Sequence, residues 1–318
     1  MAPVFWRALI GGAAAALALV AGLAADQSQT FRTGVELVNV GVMVLDRRGD
    51  FVTNLAPDNF ELYEEGQKQS VAFFSRADTD TEAEQLRLGL LFDTSGSMGE
   101  DIDLARTAAV KFLKGLHEAL DVTLVDFDTE VRVARYGPND FPRLVERIRE
   151  RKPDGWTALY DALGIYLDGS GDQEGRKVLV LYTDGGDTRS AMGFTDALEM
   201  LRASDVTVYA IGFLQHQSQT GRFEQQMQLQ QIAELTGGQA FFPMSIKQLD
   251  DIYLKVAAQI RAQYSLGFTS TNKAKDGTWR KLEVRLAGVA AQQGLKVRAR
   301  KGYYAPLQQS AGALISQP

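Results

Sequence analysis

The chain contains no cysteine among its 318 residues and only two histidines, His117 and His216. The lack of cysteine excludes disulfide bonds, thiolate metal sites and a cysteine nucleophile. With two histidines, few side chains are available as zinc ligands or as the base of a serine–histidine catalytic pair. The net charge of −6 gives no overall basic character, so we expect no nucleic-acid partner.

The positive charges that the chain does have are concentrated near its C-terminus. Between residues 261 and 305 ten lysine and arginine residues stand against Asp276 and Glu283. Such an excess suits either a surface for an acidic partner or membrane, or strands whose charged residues alternate and face solvent. We favour solvent-facing charges on strands.

The N-terminus carries an uncharged apolar stretch. Arg7 is followed by no charged residue from Ala8 to Ala25, and a small-residue cleavage site follows Ala24 or Ala25. This pattern is typical of a secretory signal peptide. Because the stretch only reaches the lower limit of about 18 residues for a spanning helix and is rich in alanine and glycine, we favour cleavage over an uncleaved anchor. We therefore expect the body to be extracytoplasmic, periplasmic or secreted, with membrane contact only through an uncleaved inner-membrane anchor.

The rest of the chain divides into sections of different periodicity. Alternating, β-rich patterns fill residues 31–76, and strands alternate with amphipathic helices over residues 86–262. A second β-rich and basic section follows at 263–306, and residues 307–318 resemble a flexible tail. Together with the signal or anchor at 1–25, these are the predicted domains.

The middle section has the pattern of an α/β fold. Continuous apolar strands between helices predict a doubly wound, mostly parallel sheet covered on both faces. The segment Val131–Tyr136 follows the preceding strand too closely for a helical crossover, which predicts one antiparallel edge strand. The flanking β-rich segments are each too small for a good core, so we expect them to form one accessory β-domain.

Oxygen-bearing side chains follow the predicted strands at one edge of this sheet. The run "LLFDTSGSM" sets Asp93, Ser95 and Ser97 at alternate positions directly after an apolar strand. Asp184 ends the strand "KVLVLYTD", and Thr157 is predicted to begin the helix before that strand. Ligands in open α/β sheets bind outside the carboxyl ends of the strands, so we expect these five side chains to converge.

Hard oxygen donors of this kind suit Mg²⁺, Ca²⁺ or Mn²⁺ rather than zinc. Two carboxylates and three neutral hydroxyls leave such an ion with much of its charge. We therefore expect it to take a further anion, and a carboxylate from another protein is the favoured source. Mg²⁺ is the expected cofactor, with Ca²⁺ and Mn²⁺ as alternatives.

These residues resemble the von Willebrand factor A (VWA) domain family. "DTSGS" matches the D-x-S-x-S element, Thr157 in "GWTALYDAL" the distal threonine, and "YTDGGD" the second aspartate. The resemblance implies a VWA/Rossmann-like fold and a metal-ion-dependent adhesion site (MIDAS) at Asp93, Ser95, Ser97, Thr157 and Asp184. Because a serine nucleophile needs a base and neither histidine is expected near these residues, we expect no enzymatic activity. The flanking segments resemble those of exported bacterial members.

The same residues also allow other interpretations. The serines would cap a helix in an ordinary turn, and Thr157 would cap its own helix, with or without a metal. The metal would only stiffen the loops in a structural scaffold protein. The run also resembles phosphatases that carry an aspartate nucleophile, although Ser95 stands where their second aspartate is expected and removes the general acid.

Two neighbouring features bear on the predicted site. Trp156 precedes the threonine at a position where a small residue is common, and its indole is predicted to form an apolar rim. Asp187 and Asp161 are interpreted as turn, cap or loop-ordering residues rather than ligands.

Overall fold

The structure, a computed structural model, describes residues 37–76, 85–116 and 119–307. The predicted signal or anchor, most of the predicted linker and tail, and His117 lie outside these residues. The domain boundaries drawn from the sequence remain predictions. None of the helices in the described part of the chain is long and apolar enough to cross a membrane.

A six-stranded sheet forms the centre of the α/β section. Its strands are β5 (Leu86–Asp93), β6 (Asp121–Phe127), β7 (Val131–Tyr136), β8 (Arg176–Thr183), β9 (Thr207–Gly212) and β10 (Gln239–Phe241). The order is β10-β9-β8-β5-β6-β7, and every pairing is parallel except that of β6 with β7. The predicted doubly wound sheet and its antiparallel edge strand are confirmed. The strand order reverses at β5, which is where such sheets bind ligands.

Helices cover both faces of this sheet. They are α1 (Ile102–Gly115), α2 (Phe141–Glu150), α3 (Leu159–Ser170), α4 (Phe194–Ala203), α5 (Gln219–Leu235) and α6 (Ile246–Arg261). One hydrophobic cluster joins the sheet to α1, α2 and α6, and a second joins it to α3, α4 and α5. Strands β5, β8 and β9 are buried almost throughout, as expected for strands with helices on both sides.

The flanking segments form two antiparallel four-stranded sheets. Their elements are β1 (Val38–Leu45), β2 (Phe60–Glu64), β3 (Gln67–Gln69), β4 (Val71–Arg76), β11 (Tyr264–Phe268), β12 (Trp279–Leu286), α7 (Gly288–Gln292), β13 (Lys296–Ala299) and β14 (Gly302–Tyr304). The orders are β13-β1-β11-β4 and β14-β12-β2-β3. Each sheet therefore mixes strands from before and after the α/β section, and one hydrophobic cluster spans both sheets.

One basic residue of the C-terminal section departs from the solvent-facing pattern that we expected. Arg280 and Glu64 are each 2% exposed, and Arg280 Nη1 lies 3.4 Å from Glu64 Oε1. Ser270 donates a hydrogen bond of 2.6 Å to the same carboxylate, and Tyr303 donates another. Pairing of β12 with β2 brings these groups together inside the β-core, so Arg280 is a structural residue rather than a surface charge.

Candidate metal centre

Two aspartates lie side by side at the carboxyl edge of the central sheet. Strand β5 ends at Asp93, and Asp184 directly follows β8. The parallel register pairs Phe92 with Tyr182, so the residues that follow these two positions leave the sheet next to one another. Asp93 is fully buried and Asp184 is 3% exposed.

A chain of hydrogen bonds links four of the five predicted site residues. The Ser95 backbone N–H donates to Asp93 Oδ1 at 2.9 Å. The hydroxyls of Ser95 and Ser97 are 3.1 Å apart, and Ser97 Oγ donates to Asp184 Oδ1 at 2.9 Å. Ser95 stands at the N-cap of a short 3-10 helix, but its side chain makes no capping bond. The serine hydroxyls therefore lie between the carboxylates instead of capping a helix.

Thr157 lies in a loop ahead of α3 rather than at the start of that helix. The helix begins at Leu159 with Ala158 as its N-cap, so the prediction that Thr157 begins the helix, and the alternative that it caps it, are both wrong. Thr157 is 4% exposed. Its N–H donates to Thr188 Oγ1 at 2.9 Å, and its carbonyl accepts from the N–H of Thr188. Among the described residues its hydroxyl has no hydrogen-bond partner, which leaves that oxygen available for a ligand.

Asp187 and Asp161 hold the two loops around Thr157 together. Asp187 Oδ2 accepts from the Tyr160 N–H at 3.1 Å, which satisfies one of the free amides at the start of α3. Asp161 accepts from the N–H groups of Ala191 and Met192, both at 3.0 Å. Both carboxylates order the loop after β8 in this way.

The loop that carries Thr157 is also bonded to the loop after β5. The Asp154 N–H donates to the Thr94 carbonyl at 3.0 Å, and the Gly96 N–H donates to the Gly155 carbonyl at 3.1 Å. Gly155 has a φ of +72°, and a Cβ there would lie 2.3 Å from Thr129 Oγ1. Only glycine meets both demands without strain. Backbone contacts thus fix the position of Thr157 relative to the serines.

The two carboxylates lie in an electrostatically unfavourable environment. Burial raises the pKa of Asp93 to about 6. Burial, together with repulsion from Asp93, raises the pKa of Asp184 to about 7. Among the described residues no lysine or arginine forms an ion pair with either group. Two buried negative charges without a countercharge destabilise the fold when both are ionised.

A divalent cation fits this set of groups. The available donors are two carboxylates, two serine hydroxyls and the free hydroxyl of Thr157, all hard oxygens of the type that Mg²⁺ and Ca²⁺ prefer. In the described part of the chain no group of three or more histidine, aspartate and glutamate side chains is placed to hold a metal. A cation here therefore depends on hydroxyl oxygens as well as carboxylates.

Three contacts at or near the site were not predicted from the sequence. Thr183 Oγ1 donates to Asp93 Oδ2 at 2.6 Å, and Gln217 Nε2 donates to the Asp184 carbonyl at 3.0 Å. His216 Nδ1 lies 2.8 Å from Glu100 Oε2. Thr183 had a signal in the sequence, because it directly precedes Asp184. The other two contacts depend on the path of a loop and carry no local pattern.

The sequence of the α/β section also matches a known family. A family model for the von Willebrand factor type A domain matches residues 88–255, slightly more than half of the chain. The chain belongs to the von Willebrand factor type A domain family. All five predicted site residues lie in the matched part of this VWA chain, and VWA domains typically bind a divalent cation at a MIDAS. No curated protein matches the chain.

Several solved structures are similar to this VWA chain at low identity. The PilB minor pilin from Streptococcus sanguinis is 15% identical over 70% of this chain and 87% of its own, with a TM-score of 0.48. A von Willebrand factor type A protein from Catenulispora acidiphila is 14% identical over 82% and 76%, with a TM-score of 0.46. Proximal thread matrix protein 1 from the mussel byssus, with a zinc-occupied MIDAS, is 19% identical over 56% and 48%, with a TM-score of 0.45.

Proposed function

We propose that this protein is an exported binding module that captures a carboxylate of another protein through a divalent cation. The cation, with Mg²⁺ expected first, is held by Asp93, Ser95, Ser97, Thr157 and Asp184. When bound, it supplies a Lewis-acidic position that a partner's acidic side chain completes. The role is one of binding rather than catalysis.

The pair of buried carboxylates carries this proposal. Asp93 and Asp184 are removed from water without a basic partner in the described residues. The Ser95 N–H and the hydroxyls of Ser95 and Ser97 link the two carboxylates. A cation would offset both charges at once and could also use the serine oxygens that lie between them. Since the donors bring only two negative charges, a divalent ion keeps affinity for a further anion.

Export is the part of the proposal that depends on the sequence alone. Its support is the apolar, uncharged stretch from Ala8 to Ala25 behind Arg7. Cell fractionation followed by N-terminal sequencing of the mature protein tests it. A new N-terminus next to Ala24 or Ala25 in the extracytoplasmic fraction supports cleavage, whereas an intact N-terminus in the membrane fraction supports an anchor.

Calorimetric titration with Mg²⁺ tests the metal site directly. We expect one site in the wild-type protein, with binding lost in Asp93→Ala and weakened in Thr157→Ala. Asp103→Asn is the matched control, because it removes an aspartate charge whose side chain is 91% exposed on α1. Mg²⁺ binding that persists unchanged in Asp93→Ala would contradict the proposed ligand set.

Capture of a partner is tested with the exported fraction of the source cells. Wild-type protein with Mg²⁺ should retain a partner that EDTA releases and that Asp93→Ala fails to retain, while the variant stays folded by circular dichroism. If the same partner is retained by wild-type protein in EDTA and by Asp93→Ala, binding does not use the metal. A melting temperature that falls with EDTA, without any metal-dependent partner, would favour the scaffold interpretation. Phosphate-ester hydrolysis that requires Asp93 would favour a hydrolase.

A further inference from the structure

An exposed aromatic side chain stands next to the proposed metal ligand Thr157. Trp156 is 64% exposed, although tryptophan is highly buried on average in proteins. Its neighbour Thr157 is 4% exposed, so the chain passes from solvent into the site within one residue. Consecutive Cα atoms are about 3.8 Å apart, so the backbone that carries this exposed indole lies next to the proposed ligand.

The backbone under this indole is fixed before any partner binds. The Trp156 N–H donates to Thr129 Oγ1 at 2.9 Å, on the hairpin between β6 and β7. On either side, the Gly155 carbonyl accepts from the Gly96 N–H and the Ala158 N–H donates to the Asp128 carbonyl at 2.9 Å. A partner that covers the indole therefore does not have to order this loop, which preserves binding free energy.

These contacts do not require a tryptophan. They involve only the backbone of residue 156, so a small side chain would satisfy the same bonds, and the described structure gives the indole no ring partner. Loop structure thus explains where residue 156 lies but not why it is large and apolar. Contact with a partner explains why this exposed residue is large and apolar, since tryptophan is enriched among the residues that dominate binding energy.

We infer that Trp156 selects partners in which an apolar side chain lies beside the captured acidic residue. The inference rests on the proposed function, because the cation must first hold the partner's carboxylate before the indole can contact the apolar side chain beside it. The partner segment is then a peptide with an aromatic or large aliphatic residue next to aspartate or glutamate. A sugar that stacks on the indole is the other ligand class, and the test separates it.

Short blocked peptides test this inference on the full-length protein with Mg²⁺. Acetyl-Phe-Asp-amide and acetyl-Asp-Phe-amide are compared with acetyl-Gly-Asp-amide and acetyl-Phe-Asn-amide by calorimetry. Of the two peptides that contain both phenylalanine and aspartate, we expect the tighter binder to have about tenfold higher affinity than acetyl-Gly-Asp-amide. The asparagine peptide should not bind, because it lacks the carboxylate.

Variants assign this preference to the indole. In Trp156→Ala the preference for phenylalanine should disappear while Mg²⁺ affinity stays unchanged, and Trp156→Phe should restore part of it. Leu254→Ala is the control, because Leu254 is an exposed apolar residue on α6 at 73% exposure. Both side chains are exposed, so we expect these variants to fold.

The outcomes distinguish the inference from the proposed function. If Asp184→Asn abolishes binding of every peptide but Trp156→Ala keeps the preference for phenylalanine, the inference is wrong and the proposed function stands. Peptide binding that needs neither Mg²⁺ nor Asp184 would overturn both. Wild-type binding of a simple methyl glycoside that is lost in Trp156→Ala, with no binding of any peptide, would replace the peptide partner by a carbohydrate.

Discussion

Removing one carboxylate from the site should stabilise the metal-free protein. In Asp184→Asn the buried negative charge disappears, but the amide oxygen still accepts the hydrogen bond that Ser97 donates to Asp184 Oδ1. The rise in the pKa of Asp184 from 3.8 to about 7 corresponds to roughly 4 kcal/mol of destabilisation when the group is ionised in the fold. The new NH₂ group needs a partner of its own, so we expect a net gain of about 2 kcal/mol at pH 8.

The gain should depend on pH with a definite sign. Because the pKa of Asp184 is raised in the fold, the native state holds the proton more tightly than the unfolded state does. The stabilisation that the bound proton gives to the fold is complete below pH 3.8 and is lost as the pH rises towards 7. Between pH 5 and pH 8 the free energy of unfolding of the wild-type protein should therefore fall by roughly 3 kcal/mol more than that of the variant.

Adding Mg²⁺ should reverse the order of stability at pH 8. Wild-type protein gains about 2.7 kcal/mol at a metal concentration one hundred times its dissociation constant, whereas a variant that does not bind gains nothing. Urea unfolding at pH 5 and pH 8, with EDTA or Mg²⁺, measures all four conditions, and Asp103→Asn is the control. An Asp184→Asn protein that is less stable than wild type in EDTA at pH 8 would refute the reasoning.

Three further substitutions test the surroundings of the site and the β-core. Gly155→Ala should lower the free energy of unfolding by about 1–3 kcal/mol and weaken Mg²⁺ binding, because it strains a positive φ and clashes with Thr129; unchanged urea unfolding would contradict this. Arg280→Met should lower the free energy of unfolding by about 3–5 kcal/mol, because it leaves the buried Glu64 carboxylate without its cation. Adding Glu64→Gln should recover part of this loss, and a double variant without any recovery in urea unfolding would count against the explanation. Thr183→Val should weaken Mg²⁺ binding without unfolding the protein, because it removes the donor that orients the aspartate at the end of β5; calorimetry that shows unchanged affinity would exclude that role.

The positions of the two aspartates could be predicted from the sequence because each follows a strongly apolar run. "LRLGLLFD" and "KVLVLYTD" are too short and too rich in apolar residues for amphipathic helices, and each ends in the carboxylate. Parallel strands separated by helices then place both residues at one edge. Strands β5 and β8 have this arrangement, so hydrophobic periodicity was sufficient for this part of the site.

The position of Thr157 could not be predicted in the same way. "GWTALYDAL" has a helical pattern from the threonine onwards, yet α3 starts two residues later. Hydrogen bonds to Thr188 and, through neighbouring residues, to Thr94 and Thr129 keep the threonine out of the helix. These partners lie roughly 30 to 60 residues away in the chain, and a local pattern contains no information on them.

The buried Arg280 shows the same limit in the β-core. Alternation along β12 gives its side chains two faces, but it does not say which face meets another sheet. That choice depends on pairing with β2, a strand more than 200 residues earlier. A charge surplus counted along the sequence therefore does not reveal which of its members are exposed.

The proposed affinity for a cation likewise depends on tertiary structure rather than on the motif alone. An aspartate at the end of an isolated strand is hydrated and has an ordinary pKa. Only the pairing of β5 with β8 brings the two aspartates together, and the packing of the loops over them excludes water. The repulsion and the assembled oxygens are thus produced by the same step of folding. A divalent ion relieves that repulsion, so a variant that removes one of the two carboxylates should lose metal affinity and, without metal, gain stability.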